Sequence, residues 1–318
     1  MTFETHLARF SPEDWASAVE TLAPEIHPID RDATRIWCAF FPLQLHLALT
    51  AASGDDRAAL ERQLGLMGKW RLEDQIDSSH TFLYGHRYWP QAKRAVLAMA
   101  GDAAFPAGLP EIITRVADHA SRTTAADRDQ LIGISVAGLM TLRQTGLAAF
   151  AASAGAVQLP MPVQAMSIRQ LLRRRRIQKS QGFFGFLRGG KKRFRMTFDE
   201  NARETFELIA GQDIASAAQS DARDHRAKDA RCIPGEGPIP VECRAASCGT
   251  CWIGVLVGAD RLVPIDPADE GKRLKVFGYP QRSSGTGAPM IRLACQARPR
   301  GDVTFVIPPW NGIIGKII

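Results

Sequence analysis

Three of the chain's six cysteines fall within nine residues, CRAASCGTC at 243–251. A loop that crowds thiols so tightly must wrap around something they share, and this constrains the fold more than any other feature. At 318 residues and 45% apolar composition the chain can build two domains with their own cores, so it needs no disulfide staples. The start MTFETHLARFSPEDW lacks the basic head, apolar run and cleavage site of a secretory signal. The default location is therefore cytoplasmic, where thiols stay reduced and clustered ones serve a metal or redox centre.

The spacing is C-x4-C-x2-C, and Cys295 follows Cys251 after 43 intervening residues. Structural zinc usually takes paired C-x2-C knuckles or cysteine with histidine. One tight pair, one cysteine upstream and one far downstream suit a binuclear iron-sulfur cluster better, because each of two irons needs two thiolates. Ala245, Ala246, Ser247, Gly249 and Thr250 are all small, so the loop can close over bridging sulfides and aim backbone N–H groups at them.

Around these cysteines lie a strand-like pair, KRFRMTFDE at 192–200 and ETFELIAG at 204–211, and a closing RLACQARPRGDVTF around Cys295. With them, segment 191–310 resembles a plant-type 2Fe-2S ferredoxin domain, a β-grasp fold. It is similar to the bacterial members attached to other domains. The resemblance implies one 2Fe-2S cluster, with Cys243 and Cys248 on one iron and Cys251 and Cys295 on the other. It further implies one-electron transfer to and from redox partner proteins. Two departures stand out. Ala246 occupies a place where many members have Gly, so the loop there either avoids positive φ or carries a small penalty. The approach to Cys295 is lengthened by GKRLKVFGYPQRSSGTGAPM.

The rest of the chain reads as an α+β protein with an all-helical amino-terminal domain. Residues 1–160 form a helical bundle opened by Ser11-Pro12-Glu13-Asp14, where Ser caps, Pro takes the first position and two acids face the positive end. Further helices are expected near 31–52, 55–66, 72–86, 90–100, 109–122 and 126–152, followed by a basic linker at 161–190. The ferredoxin-like domain, 191–318, should contain a helix at 213–223, a strand at 252–257, a helix within 267–276 and a strand at 302–307. The apolar run LIGISVAGLMTL, 131–142, is too short to cross a bilayer.

The net charge of +7 is local. Residues 169–195 hold eleven Lys and Arg and no acid, and without them 29 basic residues face 33 acidic ones. This segment reads as a solvated linker, or more sharply as a docking surface for an acidic partner or an anionic membrane face. Phe183, Phe184 and Phe186 would be the apolar anchors, with peripheral membrane association as a consequence. Nucleic acid is not an expected partner, since no helix-turn-helix, finger or RNA-binding signature accompanies the charge.

Cys38 is expected in the helical core, and Cys232 as a half-buried bystander. Glu73, Asp77 and His80 would share one helical face, but half of a di-iron carboxylate motif without a second copy reads as a polar network. No dinucleotide, phosphate-loop, nucleophile-elbow or zinc-protease motif occurs. The chain is therefore read as a non-catalytic carrier, a ferredoxin subunit serving a larger oxidoreductase complex. A redox-sensing regulator or scaffold is the alternative.

Overall fold

In the computed structural model, which describes residues 1–180, 192–279 and 288–310, contacts divide the chain into two units. One comprises Met1–Leu47 with Arg71–Ala165, the other Ala48–Trp70 with Met166–Ile318. No helix among the described residues is long and apolar enough to cross a membrane.

The first unit is helical. Ser11 opens the helix Pro12–Leu22 with a full capping box: its hydroxyl accepts the Asp14 N–H at 3.1 Å, and Asp14 accepts the Ser11 N–H at 2.8 Å. The helix Arg128–Thr145 runs through the core, every residue from Leu131 to Leu142 being buried. This explains why LIGISVAGLMTL has no polar face. The helices Pro28–Phe40, Trp89–Ala100 and Leu109–Ser121 pack around it.

Three expected helices are corrected. The 31–52 stretch is two helices, Pro28–Phe40 and Leu43–Ala51, because Pro42 pushes Phe41 out of helical geometry. The 126–152 stretch breaks at Gly146, whose φ of 82° ends Arg128–Thr145 before Leu147–Ala152 begins. The 72–86 stretch is not an α-helix but two 3₁₀ turns, Leu72–Gln75 and Tyr84–Tyr88, with irregular turns between them. The buried Asp30 carboxylate accepts the Tyr84 and Gly85 N–H groups at 2.6 and 2.7 Å, so these donors need no helical carbonyl.

Asp77 and His80 are accordingly structural. Asp77 accepts from the Trp89 indole, the Ser153 hydroxyl and the Gly155 N–H at 2.8, 3.0 and 2.9 Å. His80 and His86, both fully buried, meet Nδ1 to Nδ1 at 2.7 Å. Their partners fix the tautomers. Gln158 N–H donates to His86 Nε2 at 2.9 Å, so His86 carries its proton on Nδ1 and donates it to His80 Nδ1. His80 then donates from Nε2 to the Ile76 carbonyl at 3.2 Å.

This arrangement has no room for another proton. Burial first, and then the neighbouring His86, hold His80 well below the usual imidazole range. Burial and the Arg87 charge bring His86 down to about 4 against the pull of Asp77. Because the folded state refuses protons that the unfolded chain takes up below pH ~6.5, stability should fall as pH drops from about 6.5 toward about 4. At pH 5 the expected loss is about 2 kcal/mol for His86 alone. Urea unfolding followed by far-ultraviolet dichroism at pH 7 and pH 5 checks this; equal midpoints would refute it.

The second unit is built on a five-stranded sheet of order β2-β1-β5-β3-β4. Its strands are β1 (Arg193–Asp199), β2 (Glu204–Ile209), β3 (Trp252–Val257), β4 (Ile291–Leu293) and β5 (Val303–Val306). The β1–β2 hairpin is antiparallel, with Met196 opposite Phe206. Strand β5 returns parallel to β1, and β3 runs antiparallel to both β5 and β4. Period-two alternation puts Phe194, Met196 and Phe198 of β1 and Phe206 and Leu208 of β2 into the core. There Phe206 meets Phe305 edge-on at 6.4 Å. The helix Ile214–Ala218 packs on β2, its start capped by Asp213, which accepts the Ser216 N–H at 2.8 Å. The chain is thus α+β, with helices first and a mixed sheet after them.

Two boundaries differ from simple succession. Lys69 N–H donates to Pro309 O at 2.7 Å and Gly68 bridges Trp310, which joins the 48–70 stretch to the second unit. Within the basic linker, Ile168–Ser180 is a helix whose Arg175 grips Glu200 bidentately at 2.8 and 2.7 Å. The phenylalanines at 183, 184 and 186 lie outside the described residues.

Candidate metal centre

Strand pairing delivers two of the four thiols. Cys251 directly precedes β3 and Cys295 closely follows β4. Trp252 pairs with Leu293, and Ala294 N–H donates to the Cys251 carbonyl at 2.9 Å. The turn holding Cys295 is pinned from the helix side, where Ile214 and Ala215 N–H groups donate to Ala297 O and Ala294 O at 3.0 and 3.1 Å. Cys251 and Cys295 are buried, and each is the leading influence on the other's thiol.

The loop 243–250 supplies the other two. Backbone N–H groups of Ala245, Ser247 and Cys248 donate to Cys243 Sγ at 3.5, 3.3 and 3.2 Å. This curl places Arg244 and Ala246 at φ of 54° and 55°. Ala246 therefore carries the left-handed penalty, of the order of 1 kcal/mol, which Gly would avoid. Gly249, at φ 73°, is placed differently: a Cβ there would lie 2.3 Å from the Phe277 ring, so only glycine lets the loop sit against that side chain. Phe277 and Tyr279 in turn pack on Trp252, at 5.7 and 4.9 Å between ring centres.

The electrostatics favour thiolate at the right places. Burial alone would push the Cys243 thiol up, but hydrogen bonds from Ser247, Cys248 and Ala245 outweigh it and bring the group down to about 6. The hydrogen bond from Cys251, helped by Gln296 and the Ala246 backbone against the effect of burial, brings Cys295 down to about 7. Cys251, as the donor and a buried one, is held well above the ordinary thiol range. Cys243 and Cys248 are half-buried.

All four expected ligand residues are therefore neighbours, with Cys243 joined to Cys248 and Cys251 joined to Cys295. Among the described residues no three His, Cys, Asp or Glu side chains converge on one point as a single ion requires. Two thiol pairs are the donor set that a binuclear centre takes, whereas one zinc takes a single converging set. With N–H donors converging on Cys243, and Cys243 and Cys295 biased toward thiolate, the residues fit a 2Fe-2S cluster.

Cys232 stays apart. It is buried, donates to Pro238 O at 3.4 Å, and burial with the nearby Asp229 charge pushes its thiol up to about 11. Cys38 is half-buried on the helix Pro28–Phe40 instead of deep in the core. Sequence reasoning missed Glu270 and Arg292. Both are fully buried, joined by two 2.9 Å bonds, and Glu270 also accepts the Leu293 N–H at 2.7 Å. They clamp β4, and hence Cys295, onto the helix Glu270–Val276. Their signal in the sequence was faint: Arg292 interrupts the apolar run MIRLA, while Glu270, 22 residues before it, sits among other charged residues.

No family model matches the chain, and no solved structure matches it. A curated relative does: a protein named "Ferredoxin, plant-type", from Pseudomonas putida, is 34% identical over 103 residues, covering 32% of this chain and 76% of the relative. Through that stretch the chain belongs to the plant-type ferredoxin family.

Proposed function

We propose that this protein is a one-electron carrier whose 2Fe-2S cluster is held by Cys243, Cys248, Cys251 and Cys295, and that it serves a larger oxidoreductase complex. The observation that carries the reading is the pairing of four free thiols across the 243–250 loop and the β3–β4 junction. When bound, such a cluster supplies reversible one-electron chemistry, at about −400 mV in the plant type.

The chain's own residues set the conditions for that chemistry. The N–H groups of residues 245, 247 and 248 stabilise negative charge on Cys243 sulfur, which supports a reduced state. Burial of Cys251 and Cys295 shields one side from water, while half-buried Cys243 and Cys248 mark the face from which a redox partner approaches. The helical unit, which has no ligand set of its own among the described residues, would serve docking or assembly.

Anaerobic purification with iron, sulfide and zinc analysis, followed by visible absorption and electron paramagnetic resonance before and after dithionite, tests the proposal. Two irons per chain and an S = 1/2 signal on reduction are expected. A colourless protein containing zinc and silent on reduction would overturn it.

A further inference from the structure

The second unit carries a groove of about 1100 Å³ that includes none of the cysteines. Its walls come from four elements: the helix Ile168–Ser180 with Arg173 and Arg174, β1 with Arg195 and Thr197, the β1–β2 turn with Arg203, and β2 with Glu204 and Glu207. Arg223 closes one end. We propose that this groove is a binding site for a phosphoryl-bearing ligand of nucleotide size, with Arg173, Arg174 and Arg203 as the anion-gripping groups.

The charge is not self-cancelled. Three carboxylates also line the groove, and each already has a cation. Asp221 pairs with Arg223 at 2.6 Å, Glu204 with Lys228 at 2.7 Å and Glu207 with Arg193 at 2.7 Å. Arg173 and Arg203 are exposed and have no carboxylate partner among the described residues, and the remaining residues contain no Asp or Glu. Among the described residues Arg174 donates only to the Glu200 carbonyl, at 3.1 Å, because the Glu200 carboxylate is taken by Arg175. Burial, and next to it the charges of Arg203 and Arg175, destabilise the Arg174 cation against the pull of Glu200, so these guanidinium groups lie close enough to repel one another.

A second observation points the same way. Thr197 lines the groove and is only 2% exposed, which puts a hydroxyl-bearing side chain in its wall. A hydroxyl in the wall can donate to an oxyanion held by the arginines. Several mutually repelling guanidinium forks and a hydroxyl in the wall of a concavity suit a compact dianion with tetrahedral oxygens. One carboxylate needs only one fork, and a flat bilayer cannot enter a concave site. The volume lies at the upper end for small-molecule clefts.

Isothermal titration of the full-length, cluster-loaded protein with pyrophosphate tests this, alongside inorganic phosphate, a poly-glutamate peptide and vesicles containing phosphatidylglycerol. Saturable pyrophosphate binding is expected, weakened at least about tenfold in Arg173→Ala/Arg203→Ala. Thr197→Val should weaken it several-fold, and Arg226→Ala, which removes an exposed arginine outside the groove, should leave it unchanged. Dichroism and the visible spectrum report that the variants are folded. Absence of saturable pyrophosphate binding, equal loss in Arg226→Ala, or binding confined to poly-glutamate or vesicles would overturn the proposal. The spectrum of the centre is untouched by any of these outcomes, so the electron-transfer reading stands or falls separately.

Discussion

Serine at Cys243, Cys248, Cys251 or Cys295 is expected to strip the protein of most of its iron, its visible absorption and the resonance signal of its reduced form. Each of two irons needs two thiolates, and the structure offers four thiols in two adjoining pairs. Alkoxide is a far poorer donor than thiolate, since a serine hydroxyl ionises many pH units above a thiol, and the fold has already brought Cys243 to about 6 and Cys295 to about 7. The loss should be most severe at Cys251 and Cys295, because both are buried and no water can replace them as ligand. Cys232→Ser should retain iron and spectrum, its thiol being bound to the Pro238 carbonyl and held protonated by burial. Iron analysis and reduced-state resonance of the five variants decide the matter. A normal signal in Cys295→Ser, or its loss in Cys232→Ser, would contradict the assignment.

Breaking the Arg292–Glu270 pair should cost about 3–5 kcal/mol, the penalty for leaving an uncompensated charge in the interior. Both side chains are 1–2% exposed and the bond is bidentate at 2.9 Å. Arg292 also donates to Val263 O at 3.0 Å, and Glu270 accepts the Leu293 N–H, so the pair is wired into the backbone of β4. Arg292→Met and Glu270→Gln should each lower the urea midpoint strongly. The double variant Arg292→Met/Glu270→Leu should lose less than the sum, retaining mainly the cost of two orphaned backbone groups. Because β4 places Cys295, the single variants should also release iron sooner on warming. Additive losses, or an unmoved midpoint, would mean that the pair is not a coupled unit.

How much of this was legible from residues alone follows from the range of the interactions involved. The start signal Ser11–Asp14 is local, four residues long, and Ser11 caps as read, the reciprocal Asp14 bond being added by the structure. The β1–β2 hairpin is likewise local, its alternation of Phe194, Met196 and Phe198 facing Phe206 and Leu208 being visible within 16 residues. The 72–86 helix failed because Asp30, more than 50 residues away, takes the N–H groups of Tyr84 and Gly85. Strand β4 is only three residues long and exists because β3 pairs with it. No window of sequence around Ile291 distinguishes it from a turn.

The cysteine spacing by itself favoured a binuclear centre: three thiols in a loop of small residues and a distant fourth suit two metal ions better than one, because ligand number and loop length are written in the chain. Tertiary structure alone decided which thiols are neighbours, which are thiolate-prone and which cysteine is excluded. Those depend on where N–H donors converge on Cys243, on the β3–β4 pairing that joins Cys251 to Cys295, and on the burial of Cys232. The basic segment shows the same division. Its eleven Lys and Arg were countable, but its helix folds one arginine onto Glu200 and turns two others toward a groove. Only the folded chain shows which charges remain unspent, because that depends on which carboxylates the sheet brings within reach.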